Sequence, residues 1–288
     1  MISSAARIDP AQLVAIDTHV HAHHHEIGNT EAGNAAAAYF KTSDVPIDFA
    51  GVAAYYRARK MACVIFSVDE TLSGQPQVSN DDVLSAASEF GDVLIPFVSI
   101  NPTKASAVDE VARLMATGKV RGFKLHPPLM EFAPNDPKVY PFYAAVAATK
   151  LPVVFHTGHS GIGTGMRGGG GVRLKYGQPM PIDDVAVDFP DMPIILAHPS
   201  FPWQEEAISI CMHKPNVYID LSGWSPKYFP PILVQYTNTL LKDKVIFGSD
   251  YPLITPDKWL EEFDKLPIKD GVRERVLKTN AVRLLGLG

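Results

Sequence analysis

The stretch IDTHVHAHHHE, residues 16–26, runs a short apolar segment into five histidines within seven positions. The apolar run at 14–17 is the first of a series, followed by others at 62–68, 93–99, 120–125, 152–156, 193–198, 217–221 and 245–248. Short, near-continuous runs of Val, Ile and Phe are what strands covered on both faces show. Between them lie segments with helical spacing, at 79–90, 103–117 and 203–213. Ser79 or Asn80 is placed to cap the first of these, with acidic residues in its first turn. Residues 256–286 read as closing helices broken near Pro267 and Gly271. Alternating strands and helices of this number predict a (β/α)8 TIM barrel, a single α/β domain over residues 1–288. A doubly wound open sheet fits less well, because no Gly-rich phosphate loop follows the first strand.

In such a barrel the C-terminal strand ends converge on one face. The first strand ends in His19-Val20-His21, the fifth in VVFH with His156, the sixth in IILAH with His198 and the eighth in VIFGSD with Asp250. Side chains alternate along a strand, so His19 and His21 share a face, and Asp17 joins them if the strand is regular there. His23, His24 and His25 lie beyond the strand end and read as solvated or locally hydrogen-bonded loop residues at the pocket mouth. His126 and His213 read as structural. A lone histidine at a strand end is ordinarily structural too, so the argument for His19, His21, His156, His198 and Asp250 is a joint one. Imidazoles and a carboxylate gathered this way suit one divalent transition metal, Zn2+ first, with Mn2+, Fe2+ or Co2+ as alternatives.

Bulk properties narrow the class. The net charge of −5, with a pI near 6.0 and no basic patch, argues against a nucleic-acid partner. The 288 residues, 46% hydrophobic, supply a large core, yet no apolar run is long enough to span a membrane. Cys63 and Cys211 are far apart and form no metal motif; with no basic-then-apolar leader pattern, a cytoplasmic location is the expectation. Residues 158–177, GHSGIGTGMRGGGGVRLKYG, lack the Gly-Lys-Ser/Thr ending of a P-loop and read as a flexible loop over the barrel mouth. From there Arg173, with Arg167 and Lys175, is placed to meet an anion. Trp203 and Trp224 follow the sixth and seventh strands; either can wall a conjugated substrate, though packing against helices is the ordinary role.

The stretches IDTHVH, VRGFKLHPP, LPVVFHTG, DDVAVDFPDMPIILAHPSFPW, NVYIDLSG, VIFGSDYP and NAVRLLGL resemble the amidohydrolase superfamily. The resemblance is to the amidohydrolase-2 branch that includes aminocarboxymuconate-semialdehyde decarboxylase, and it runs from about His19 to the C-terminus. It implies metal ligation by His19, His21, His156 and Asp250, and a catalytic His198 acting on water or substrate alongside Asp250. Lys124 matches the region of a lysine that is carboxylated in binuclear members; here it reads as an anion contact or as a plug of the barrel. The activity implied is hydrolysis of a small carboxylated ester, lactone or amide by an activated water. The alternative is non-oxidative decarboxylation of a small aromatic or unsaturated acid. A non-catalytic metal-storage role is disfavoured, since storage does not require ligands spread over several strands. The expected partner is a small anionic organic substrate, with neither nucleic acid nor membrane, and a homodimer is permitted.

Overall fold

A computed structural model of the chain describes residues 8–23, 30–40, 45–70, 72–73 and 78–287. Its eight strands are β1 Ala15–His21, β2 Met61–Phe66, β3 Leu94–Ser99, β4 Gly122–Leu125, β5 Val153–His156, β6 Ile194–Ala197, β7 Val217–Asp220 and β8 Val245–Ile246. Each pairs in parallel with the next in sequence order. The ring closes between β8 and β1: Phe247 O accepts from Thr18 N at 2.9 Å, His19 O accepts from Asp250 N at 3.0 Å, and Tyr251 O accepts from His21 N at 2.8 Å. The fold is the expected TIM barrel.

Two apolar layers hold it. Ile16, Val64, Phe66, Ile95, Phe97, Val154, Ile195 and Ile246 fill the inside of the barrel. The outward residues, such as Val20, Cys63, Ile65, Phe123 and Ile219, pack beneath the helices. The helices form where the periodicity places them, at Asn80–Glu89, Ala107–Met115 and Gln204–His213. Ser79 caps the first, its side chain accepting from Asp82 N at 3.0 Å. Among the described residues no helix is long and apolar enough to cross a membrane.

β1 agrees with the sequence reading in its end and departs from it in its register. It runs past the apolar run to His21, the end expected of it, because both histidines stay in the backbone ladder despite their polarity. It also carries a register shift against β2 between Asp17 and Val20. The extra residue breaks strict alternation. Ile16, His19 and His21 therefore face the interior, while Asp17 turns outward to accept from Tyr56 OH at 2.7 Å and from Ser249 N at 2.9 Å. Asp17 does not share the histidine face, and its role is to fasten β1 to the outer helix and to the end of β8.

The interior is filled to the point that Gly122 on β4 has no room for a side chain, since a Cβ there would lie 2.3 Å from the Phe97 ring. Overpacking of a filled core costs roughly 1–3 kcal/mol. Gly122→Ala is expected to lower the unfolding free energy by that amount; a urea midpoint equal to that of the parent would contradict this account of the packing.

Candidate metal and active site

Three donors meet at the C-terminal face. Asp250 Oδ1 lies 3.1 Å from His21 Nε2 and 3.4 Å from His19 Nε2. Among the described residues these three form the only group of its kind able to hold a metal ion, with donor atoms all within 4.8 Å of one another. Two donors on one tetrahedral zinc, each about 2.0–2.1 Å from it, stand about 3.3 Å apart.

The donors are pre-set by the strands behind them. His19 is fully buried, and its Nδ1 lies 2.6 Å from Asp220 Oδ2 at the end of β7. With Asp220 accepting there, the His19 hydrogen sits on Nδ1 and the Nε2 lone pair faces Asp250. Two electron-rich atoms at 3.4 Å call for a cation between or beside them, so the trio fits a metal. One cation is already close: Lys124 Nζ, fully buried, is 3.0 Å from His19 Nε2. An ion entering the trio competes with that ammonium for the same lone pair.

His198 is fixed at both ends of its ring, with Nε2 3.0 Å from His156 Nδ1 and Nδ1 3.0 Å from Ser222 Oγ. Ser222 Oγ also lies 3.0 Å from His19 Nδ1, which joins the two histidines through one hydroxyl. Both His198 and Asp250 adopt left-handed backbone conformations, with φ of 74° and 72°. Such a conformation costs an L-residue about 1–2 kcal/mol, and it recurs where structure is committed to function.

Burial sets the protonation states. It pushes His19, His126 and His156 well below the ordinary imidazole value and brings His198 down to about 4, so these rings are neutral at neutral pH. It raises Asp220, and it raises Asp17 to about 6. Burial acts the same way on Asp250, but the His21 hydrogen bond, His198 and Lys124 outweigh it and hold this carboxyl below its ordinary value.

The trio opens on a cavity of about 140 Å3. Its polar wall includes His21, His126, His156, His198 and Asp250, and its apolar wall includes Phe40, Val68, Leu129, Ile162 and Leu253. His156 stands outside the trio; its Nε2 is buried with no hydrogen-bond partner. The described part of the triple-histidine run, His23, lines the cavity and is not simply solvated, while His24 and His25 lie outside the described residues. The glycine-rich loop reaches the mouth as expected, through Ser160, Gly161 and Ile162, and its ends are joined by Gly158 N donating to Gly177 O at 2.7 Å.

Two expected substrate contacts fall elsewhere. Arg173 is 57% exposed and donates to Glu131 Oε1 at 2.7 Å, since the loop turns its basic half outward. Trp224 packs against Phe201 and lines a neighbouring cavity with Trp224-flanking Gly223, Lys227 and Tyr228; that cavity shares Phe40 and Gly161 with the first. Lys124 sits beneath the trio, not on the cavity wall. Sequence reasoning passed over Asp220 and His126. The signal for Asp220 was that it is the one charged residue inside the apolar run 217–221; for His126 it was the two-residue spacing from Lys124, which places both on one side of the strand.

The comparisons agree with this architecture. An amidohydrolase family model matches residues 16–287, so the chain belongs to the amidohydrolase family. An uncharacterized TIM-barrel protein of Bordetella bronchiseptica is 25% identical, with a TM-score of 0.77 over 95% of this chain and 98% of that one. A structure described as a probable 2-pyrone-4,6-dicarboxylic acid hydrolase of Acinetobacter baumannii, with citric acid bound, is 17% identical, with a TM-score of 0.65 over 95% and 100% of the two chains. The 5-carboxyvanillate decarboxylase of Novosphingobium aromaticivorans, complexed with manganese, is 12% identical, with a TM-score of 0.67 over 99% and 100%. No curated protein matches the chain.

Gly223 tests the fixing of His198. It has φ +71° and a Cβ there would lie 2.3 Å from His198 Nδ1. Gly223→Ala is expected to break the Ser222–His198 contact and to destabilise the fold by about 1–2 kcal/mol from the backbone conformation alone. A crystal structure of the variant with the His198 ring in place would refute the steric argument.

Proposed function

We propose that the protein is a metal-dependent hydrolase of a small ester, lactone or amide bearing a carboxylate. His19, His21 and Asp250 would hold the ion, and three protein ligands leave a position open for water or substrate, as catalytic zinc sites do. A divalent transition metal bound there supplies a Lewis acid and brings the pKa of water from about 15.7 toward 7.

The observation that carries this reading is the placing of Asp250, which lines the cavity with its Oδ1 3.1 Å from His21 Nε2 and 3.4 Å from His19 Nε2. Held ionised by His21, His198 and Lys124, it is suited to accept a proton from water and to pass it to the leaving group. A decarboxylase using Asp250 as its acid needs it protonated at the start. His198 is neutral and lines the same cavity, and it would reach the water or the carbonyl through Nε2 by exchanging its contact with His156 while Ser222 keeps hold of Nδ1.

The cavity supports a compact substrate. Its volume of about 140 Å3 is close to the ~150 Å3 cavity that admits benzene. Among the described wall residues the polar groups are imidazoles, carboxylates and hydroxyls, with no lysine or arginine. A substrate carboxylate would thus be met by imidazole N–H groups and the ion, and the rest of the molecule by Phe40, Val68, Leu129, Ile162 and Leu253.

Elemental analysis is expected to find about one transition metal per chain, lost in His19→Ala. Asp220→Asn, which weakens the support of His19, is expected to loosen metal binding about 10- to 100-fold. Assays of lactones and esters against hydroxybenzoates decide the reaction: release of carbon dioxide without hydrolysis would replace this reading with the decarboxylase one. The kcat/KM profile of the hydrolase should fall on the acid side as His198 takes a proton near pH 4, not near the ordinary histidine value of about 6.5. An acid limb centred at the ordinary value would remove neutral His198 from the mechanism.

A further inference from the structure

His126 is followed by Pro127 and Pro128, which have no amide hydrogen. The first N–H available in the turn Pro127–Met130 is therefore that of Leu129. It donates back to the His126 carbonyl oxygen at 2.9 Å and to the ring Nδ1 at 3.4 Å. A ring nitrogen that accepts carries no hydrogen, so the neutral imidazole has its hydrogen on Nε2. The sequence His-Pro-Pro thus selects a tautomer.

The ring is held flat against His156, with centroids 3.8 Å apart and planes 12° from parallel. It forms part of the cavity wall together with His21, His156, His198 and Asp250. No described residue accepts from Nε2, and that atom is not among the sealed, unpartnered ones, which are Ser67 Oγ and His156 Nε2. A donor of known tautomer, clamped on one face, thus opens on the cavity with no described residue to bind.

We infer that His126 Nε2–H is a hydrogen-bond donor to an oxygen of the substrate, a carbonyl or carboxylate oxygen held beside the His19–His21–Asp250 trio. The kind of oxygen rests on the hydrolase reading; the presence of the donor does not.

The decisive variant is His126→Phe, which keeps an aromatic ring against His156 and deletes the donor. For whichever lactone, ester or hydroxybenzoate the parent turns over, kcat/KM is expected to fall about 10- to 100-fold, the loss of a hydrogen bond to a charged or developing charge. Metal content and melting temperature should stay at parent values, and His126→Asn, which retains an N–H, should recover part of the loss. Parent-like kcat/KM in His126→Phe overturns the inference, as does a loss confined to metal content or melting temperature. A second readout is independent of turnover. Long-range 1H–15N correlation of histidine-labelled protein should show His126 as the Nε2–H tautomer, with a resonance that moves on addition of benzoate. An Nδ1–H tautomer, or no movement up to the solubility limit of benzoate, overturns the inference. If the parent turns over none of the panel, the hydrolase reading fails by itself, and the tautomer and benzoate shift still decide His126.

Discussion

The candidate site depends on one buried contact, the 2.6 Å hydrogen bond between His19 Nδ1 and Asp220 Oδ2. Both side chains are fully buried, and they come from opposite ends of the chain, β1 and β7. By taking the Nδ1 hydrogen, Asp220 fixes the ring, its tautomer and the direction of the Nε2 lone pair at once. Asp220 is itself held by Ser222 N at 2.6 Å, and Ser222 Oγ extends the support to His198. Breaking this contact leaves a buried carboxylate and a buried imidazole without their partners, which is more costly than never having formed it. Gly248 is part of the same arrangement, because a Cβ at that position would lie 2.4 Å from Asp220 Oδ1.

The barrel makes this possible by dividing labour along each strand. Apolar side chains inside the lower barrel, among them Phe97, Val154 and Ile195, provide the burial that keeps the strands in register. At the C-terminal ends of the strands, and just past them, residues are then free to be polar, as His19, His21, His156, His198, Asp220 and Asp250 are. That freedom has a cost, visible in the left-handed conformations of His198 and Asp250 and in the lysine enclosed beneath the trio. Burial neutralises His19, His126, His156 and His198, while the His21 hydrogen bond and Lys124 keep Asp250 charged, so one enclosed space contains both neutral rings and an ionised acceptor.

Much of this was legible in the sequence, for reasons that also explain what was not. The eight apolar runs, and the polar residues that end four of them, are one-dimensional signals; they located His19, His21, His156, His198 and Asp250 without knowledge of the fold. The register shift in β1 left no such signal, so Asp17 was grouped with the histidines when it in fact faces Tyr56. Arg173 and Trp224 lie on loops, where no period fixes direction, and both turned away from the first cavity. His126 was set aside as a single strand-end histidine. Its meaning depends on Pro127 and Pro128, which act through a missing hydrogen and not through any side chain of their own.

The clasp between Gly158 N and Gly177 O pins both ends of the glycine-rich loop to the barrel rim. The chain between those two points is tied to neighbouring connections, with His159 N donating to Phe201 O at 2.7 Å and Arg173 to Glu131 Oε1 at 2.7 Å. Two of its glycines are fixed by close packing: a Cβ at Gly161 would lie 2.4 Å from the Phe40 ring, and one at Gly163 2.2 Å from Gly169 O. Of the loop residues at the entrance, Ser160 is buried and Gly161 is packed against Phe40, so the half-buried Ile162 is where the mouth can change shape, and substrate preference with it, at least risk to folding.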